Sequence, residues 1–296
     1  MMSLAQPTVA ILLTGVLVGV SAALLGSFLV LRGNSMLADA ISHSILFGIA
    51  AAWLVSGQTS GPIQIVGAAL SGVLAVYLIE TLARTRRLRD DAAIGLVFPA
   101  LFSIGVLLIN VFARDVHLDE HTVLLGEIGF VWLDTVTLGG VEIPRATLAL
   151  LVVLALDALF VLAFYKSLKL ATFDPGLARA LGLAPGLIFY VHLALLSGTA
   201  VAAFDAVGVV LFITFVVVPP STAYLLTRRL SSLIGLAMLI AAASAPLGYA
   251  LAVWLDVSIG GSMALATGPF LAAAYAGRRW RAWRGSGRAQ SESPSA

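Results

Sequence analysis

Nine apolar stretches set what this chain can become. They fall at roughly 8–31, 36–56, 62–83, 92–112, 146–165, 187–204, 206–226, 232–255 and 258–277. A helix needs about 20 apolar residues to cross some 30 Å of hydrocarbon, and each run is of that length or close to it. Inside lipid only helices and closed barrels satisfy their own backbone polar groups, and uninterrupted runs this long favour helices. The composition agrees, with 60% hydrophobic residues, 11% charged and mean hydropathy +1.04. A soluble domain carries about 25% charge. The expectation is an all-α polytopic membrane protein, a bundle of about nine spans. The count could drop to eight, because only Phe204-Asp205-Ala206 separates two runs and Pro219-Pro220 interrupts the second.

Basic residues orient the bundle, since cytoplasmic loops hold an excess of Lys and Arg. With the tail bearing Arg278, Arg279, Arg281, Arg284 and Arg288 placed inside, nine alternating spans also bring inside Arg32, Arg84, Arg86, Arg87, Arg89, Lys166, Lys169, Arg179, Arg228 and Arg229. Of the 17 basic residues only Arg114 and Arg145 then lie outside. The N-terminus is expected out and the C-terminus in. No Lys or Arg precedes Arg32, so the first run reads as a retained span, without the basic start of a signal peptide. Residues 1–277 form one transmembrane domain with an outer segment at 113–145, and the basic tail 278–296 is expected to be disordered. No repeat of 20–50 residues is visible.

Several classes of chemistry are excluded. The chain has no Cys, so thiolate metal sites, disulfides and cysteine nucleophiles are out. Its positive charge punctuates apolar runs and forms no nucleic-acid surface. Only Lys166 and Lys169 are lysines and neither follows a Gly, so the Gly-x-x-x-x-Gly-Lys-Ser/Thr phosphate loop is missing. Any ATP coupling has to come from another polypeptide.

The sharpest polar feature is Ser35-Met-Leu-Ala-Asp39-Ala-Ile-Ser42-His43. Residues four apart share a helix face, so Asp39 and His43 point the same way near the start of a span. Ionisable residues within the bilayer are costly and are functional candidates by default. Carboxylate oxygen with imidazole nitrogen suits Mn²⁺, Fe²⁺ or Zn²⁺. Two donors make a loose site; two copies of the chain would offer four, which suits an ion in passage. The plainer alternative is that the two hydrogen-bond each other or a neighbouring helix.

A second pair, His117 and His121, brackets Asp119 and Glu120 in the outer segment. It is a lesser metal candidate, and a solvated polar loop is the simpler reading. His192 stands alone in a span and reads as a satisfied packing residue. On the inner side, Asp174 is an expected N-cap, Pro175 the first helical residue and Gly182 a C-terminal stop. This short helix would dock a cytoplasmic partner or serve as a plain linker.

Leu29-Val30-Leu31-Arg32 with Ser35 to His43 resembles the first-to-second-span signature of the ABC-3 family, permease subunits of bacterial metal-ion ATP-binding-cassette importers. Thr172-Phe173-Asp174-Pro175 through Ala178, with Leu181-Gly182-Leu183, is similar to its cytoplasmic segment. Val207-Gly208-Val209-Val210-Leu211 with Pro219-Pro220-Ser221-Thr222-Ala223 is similar to its late-span motif. The resemblance spans nearly the whole chain. It implies a multi-pass protein of the bacterial inner membrane that works with cytoplasmic ATP-binding subunits, an extracytoplasmic metal-binding protein and a second permease copy. It implies no permanently bound cofactor, with Mn²⁺ or Zn²⁺ as the transported substrate, and no enzymatic activity in this chain. Asp39 and His43 match the family's translocation-path positions. Phe173, Asp174, Pro175, Ala178, Arg179 and Gly182, within the segment 171–185, match its ATPase-coupling region. His117-Leu118-Asp119 with Val123-Leu124-Leu125-Gly126-Glu127 looks more like the manganese branch than the zinc branch.

The main rival is a proton-coupled secondary metal transporter or channel, with Asp39 and His43 relaying protons. An intramembrane metalloenzyme built on His117 and His121 has a poor ligand set. A siderophore or vitamin permease would want a wider, more aromatic cavity.

Overall fold

The structure, a computed structural model, describes residues 6–57, 62–112, 127–138 and 141–291. Among these, nine helical segments are long and apolar enough to cross a membrane. The first four are α1 (Pro7–Leu31), α2 (Met36–Ser56), α3 (Pro62–Arg84) and α4 (Asp90–Phe112). After the connection 113–144 come α5 (Arg145–Ala163), two short helices α6 (Tyr165–Phe173) and α7 (Pro175–Ala180), then α8 (Pro185–Val207), α9 (Val209–Leu226) and α10 (Leu230–Leu255). The last span is broken into α11 (Ile259–Leu265) and α12 (Thr267–Ser291). The last helix thus runs past the end of its apolar stretch, through basic residues up to Ser291.

Helix α1 is the most enclosed span. It packs on α9 and α10 and also touches α5 and α8, while α2, α3 and α4 pack together as a second group. Apolar side chains gain nothing by leaving lipid for each other, so close approach of small residues does much of the work. Gly26 of α1 faces the backbone of Val216 in α9, and Gly48 of α2 and Gly67 of α3 each face the other's carbonyl.

The stretch between α4 and α5 departs from an all-helical chain. A single 3-10 turn at Ile128–Phe130 leads to two antiparallel strands, β1 (Thr135–Leu138) and β2 (Val141–Pro144), with Val136 opposite Ile143. Arg145 and Asp134 pair at 3.3 Å beside them. Polar residues outside the bilayer can use water and cross-strand bonds, so this stretch is free of the helix-only constraint.

The boundary between α8 and α9 falls later than the sequence reading put it. Asp205 is still helical, and the chain breaks at Gly208, with φ +78° and ψ 168°. Only a residue without Cβ takes that conformation at no steric cost. Pro219 and Pro220 do not end α9, which continues to Leu226. Membrane helices tolerate proline where neighbours accommodate the freed carbonyls.

Candidate metal site

Asp39 and His43 lie in the first two turns of α2, one turn apart, with Asp39 Oδ1 and His43 Nε2 separated by 3.5 Å. That is an ion-pair distance and too long for a strong hydrogen bond, so neither atom is committed to the other. Each side chain remains about one third exposed, Asp39 at 36% and His43 at 33%. A cation roughly 2.1 Å from both atoms would see them at an angle of about 110°, close to tetrahedral.

Neighbouring helices fix the imidazole. His43 stacks on Phe98 with ring centroids 5.5 Å apart and meets Phe102 edge-on at 6.0 Å, both from α4. The far side of α2 is anchored to α3. Ser71 Oγ donates to the Ser44 carbonyl at 2.9 Å, beside the Gly48–Gly67 crossing. Ser42, which continues the polar stripe, is buried and donates to the Ala38 carbonyl of its own helix. It therefore contributes no free donor to the pair.

Among the described residues no three His, Asp or Glu side chains converge as a metal cage. Within the described residues Asp39 and His43 therefore stand as a two-donor pair. His117 and His121 lie outside the described residues.

His192 is a packing residue without being a satisfied one. It is buried and packs edge-on against Phe28 at 5.6 Å, as a packing residue should. Neither ring nitrogen, however, has a hydrogen bond of standard geometry, although the Leu25 backbone lies within electrostatic reach. Desolvated nitrogens of this kind cost stability, so "satisfied" does not describe it.

Two polar groupings escaped the sequence reading. Asp157 sits buried in α5, and its Oδ2 lies 2.8 Å from Thr199 Oγ1 of α8, while Oδ1 has no partner. An acid inside an apolar run was the signal that could have found it. Replacing Thr199 by Val removes this interhelical bond and leaves the buried Asp157 carboxyl without a partner, so it is expected to lower stability by about 1–3 kcal/mol, read from unfolding in mixed micelles.

The second grouping ties three spans at one end of the bundle. Glu80 of α3 accepts from Tyr190 of α8 at 2.7 Å and from Arg84 at 3.2 Å. The Arg32 guanidinium, just past α1, lies 3.9 Å over the ring of Phe189 in α8. Burial lowers the pKa of Arg32, and the Glu80 charge partly restores it. Sequence separations near 110 residues hide such a pairing from local pattern reading.

The short helix α7 is locally determined at both ends. Asp174 Oδ1 accepts from the Leu177 backbone N–H at 2.9 Å, capping α7, and Pro175 occupies its first position. At the other end Gly182 has φ +78°. Its N–H bonds to the Arg179 carbonyl and that of Leu183 to the Ala178 carbonyl, the paired pattern of a Schellman stop. Arg179 Nε donates back to the Pro175 carbonyl, and Ala178 is the buried side of the turn. Phe173, Leu177 and Leu181 are 58%, 48% and 65% exposed. Together they form an exposed apolar edge along α7. Asp174→Ala is expected to cost about 1 kcal/mol of local helix stability; faster hydrogen exchange at the Leu177 amide would register it.

Comparison with known proteins decides the family. The model of the ABC 3 transport family matches residues 5–276. The chain belongs to that family. It is 49% identical over 90% of both chains to the manganese transport system membrane protein MntD of Bacillus subtilis. It is 43% identical to the zinc transport system membrane protein TroD of Treponema pallidum, over 90% of this chain and 73% of that one. Among solved structures it superposes on a chain of PsaBC from Streptococcus pneumoniae, determined in complex with Fab. That match has TM-score 0.74 and 27% identity, covering 91% of each chain. The ABC 3 chain is accordingly a permease subunit, a multi-pass protein of the bacterial inner membrane.

Proposed function

We propose that this permease carries a divalent metal ion inward, Mn²⁺ first with Zn²⁺ or Fe²⁺ next, and that Asp39 and His43 hold the ion in passage. The observation that carries the reading is the uncommitted Asp39–His43 pair, 3.5 Å apart, part-exposed and held by α3 and α4. The names of the two relatives support the choice of ions, and the higher identity to the manganese protein favours that order. Carboxylate and imidazole accept either ion. His117 and His121 take the lesser role of capturing cations at the outer segment.

Two copies of the chain would bring four donors to one ion, enough to replace part of its hydration and few enough to let it go. Cytoplasmic ATP-binding subunits would seat on the exposed apolar edge of α7, and an extracytoplasmic metal-binding protein would deliver at the outer segment. The N-terminus is placed outside and the C-terminus inside. Contacts between Arg32 and Phe189 and between Glu80 and Tyr190 support this, because they gather basic turns at one end of the bundle.

A push on α7 has a contiguous route to the ion. Helix α8 starts five residues beyond α7. Tyr190 on α8 holds Glu80 of α3, and α3 crosses α2 at Gly67 and Gly48. Reconstitution of the permease with its ATP-binding subunit and binding protein tests the proposal. Metal should accumulate in proteoliposomes only with ATP and regardless of a proton ionophore. Uptake that proceeds without nucleotide and collapses with the ionophore would establish the proton-coupled alternative instead.

A further inference from the structure

We propose that the ends of α9, α10 and α12 form a binding site for one anionic phospholipid, with its headgroup at Arg228 and Arg278 and an acyl chain in the groove behind them. A cavity of about 510 Å³ opens where α9 leaves the apolar zone and α10 re-enters it. Arg228, Arg278, Thr227 and Tyr224 supply its polar wall. A second cavity of about 440 Å³ shares Leu225, Leu226 and Arg278 with the first. Its remaining wall is nearly all apolar, with Leu236, Ile240, Phe270 and Ala274 lining it.

The two cavities adjoin at those shared residues, one with a polar wall and one almost wholly apolar, the two surroundings a phospholipid needs. Ile240 lies ten residues into α10, which places the groove's far end about 15 Å below the headgroup pocket. That depth suits most of an acyl chain. Among the described residues neither arginine forms an ion pair, since the four pairs present involve His43, Arg84, Arg89 and Arg145. Guanidinium groups match phosphate oxygens through paired N–H donors, and basic pockets between membrane helices are suited to anionic headgroups. A zwitterionic lipid offers the same phosphate, but its own ammonium competes for it.

Phe173 also lines the headgroup cavity, one residue before the Asp174 cap of α7. A lipid seated there touches the segment that leads to the ATPase edge. The site is independent of the Asp39–His43 reading and of which ion is carried.

Native mass spectrometry of the purified full chain tests this, in micelles doped equally with dioleoyl phosphatidylglycerol and dioleoyl phosphatidylcholine. The wild type should retain one phosphatidylglycerol with a preference of about 30-fold at low salt, the effect of two basic residues at a membrane surface. R228Q/R278Q should bring the preference to within about threefold, while R87Q/R89Q on another turn leaves it intact. A273W, which fills the groove from α12, should remove the bound lipid with both arginines present. Each variant is compared with wild type by thermal melting in lipid-free micelles, so a fold defect is recognised. Equal retention of the two lipids by the wild type overturns the proposal, as does an undiminished preference in R228Q/R278Q. Displacement by millimolar inorganic phosphate would mean an anion pocket with no lipid specificity and also overturns it. So would release of the lipid by the ATP-binding subunit, if R228Q/R278Q also loses that subunit, because the pocket would then be a protein seat.

Discussion

Asp39→Ala and His43→Ala should each reduce metal uptake at least about 100-fold, since even outer-shell partners of a metal ligand are worth 10- to 100-fold. Folding and insertion should survive both changes. Each side chain is part-exposed, and neither makes a hydrogen bond that holds helices together. His43→Ala leaves a gap beside Phe98 and Phe102, so His43→Phe is the companion variant that keeps the stacking while removing the nitrogen. Radioactive manganese uptake into cells, with membrane abundance measured in parallel, separates transport from assembly. Near-normal uptake in both alanine variants would remove the pair from the path. Normal uptake in His43→Phe would assign the imidazole a packing role only.

Gly26→Ala is expected to have the largest effect on the fold. Pro220 has no N–H, so the Val216 carbonyl one turn earlier in α9 lacks its usual intrahelical donor. In the structure the Val216 carbonyl faces Gly26 of α1, along the direction a Cβ would take. The Cα–H of Gly26 occupies that direction instead, a weak hydrogen bond worth about 0.5–1 kcal/mol. A methyl group there collides with backbone, which cannot rotate away as a side chain does, and α1 is the most enclosed span. The cost should exceed the usual 1–3 kcal/mol or so of overpacking, and the variant should fail to accumulate as folded protein. Gly95→Ala in α4 is the control, because nothing lies within 4 Å of its Cβ direction. It should melt like wild type or slightly above, by helix propensity. Equal accumulation of both variants would contradict this view of the α1–α9 contact.

Local chemistry explains what the sequence made legible. Hydrophobic length alone located the spans, and Asp174, Pro175 and Gly182 marked the ends of α7 because capping depends only on residues a turn away. The i, i+4 rule put Asp39 and His43 on one face. Features that need two distant segments stayed hidden. Asp157 gains its meaning from Thr199, and Glu80 from Tyr190. The break at Gly208 was displaced to Asp205 because a lone acid resembles a span end, although a helix terminus tolerates an exposed acid. The strand pair after Leu133 lies outside any apolar run, where hydropathy carries no information on structure.

The coordination of the ion inside the trapped transporter is the most direct test. Mn²⁺ would be captured in the nucleotide-arrested complex of the permease, its ATP-binding subunit and its binding protein, and examined by electron–nuclear double resonance. The account predicts nitrogen couplings from His43 that vanish in His43→Phe, with carboxylate oxygen completing the shell. An occluded ion with no nitrogen coupling in the wild type, or with the same coupling in His43→Phe, would contradict it.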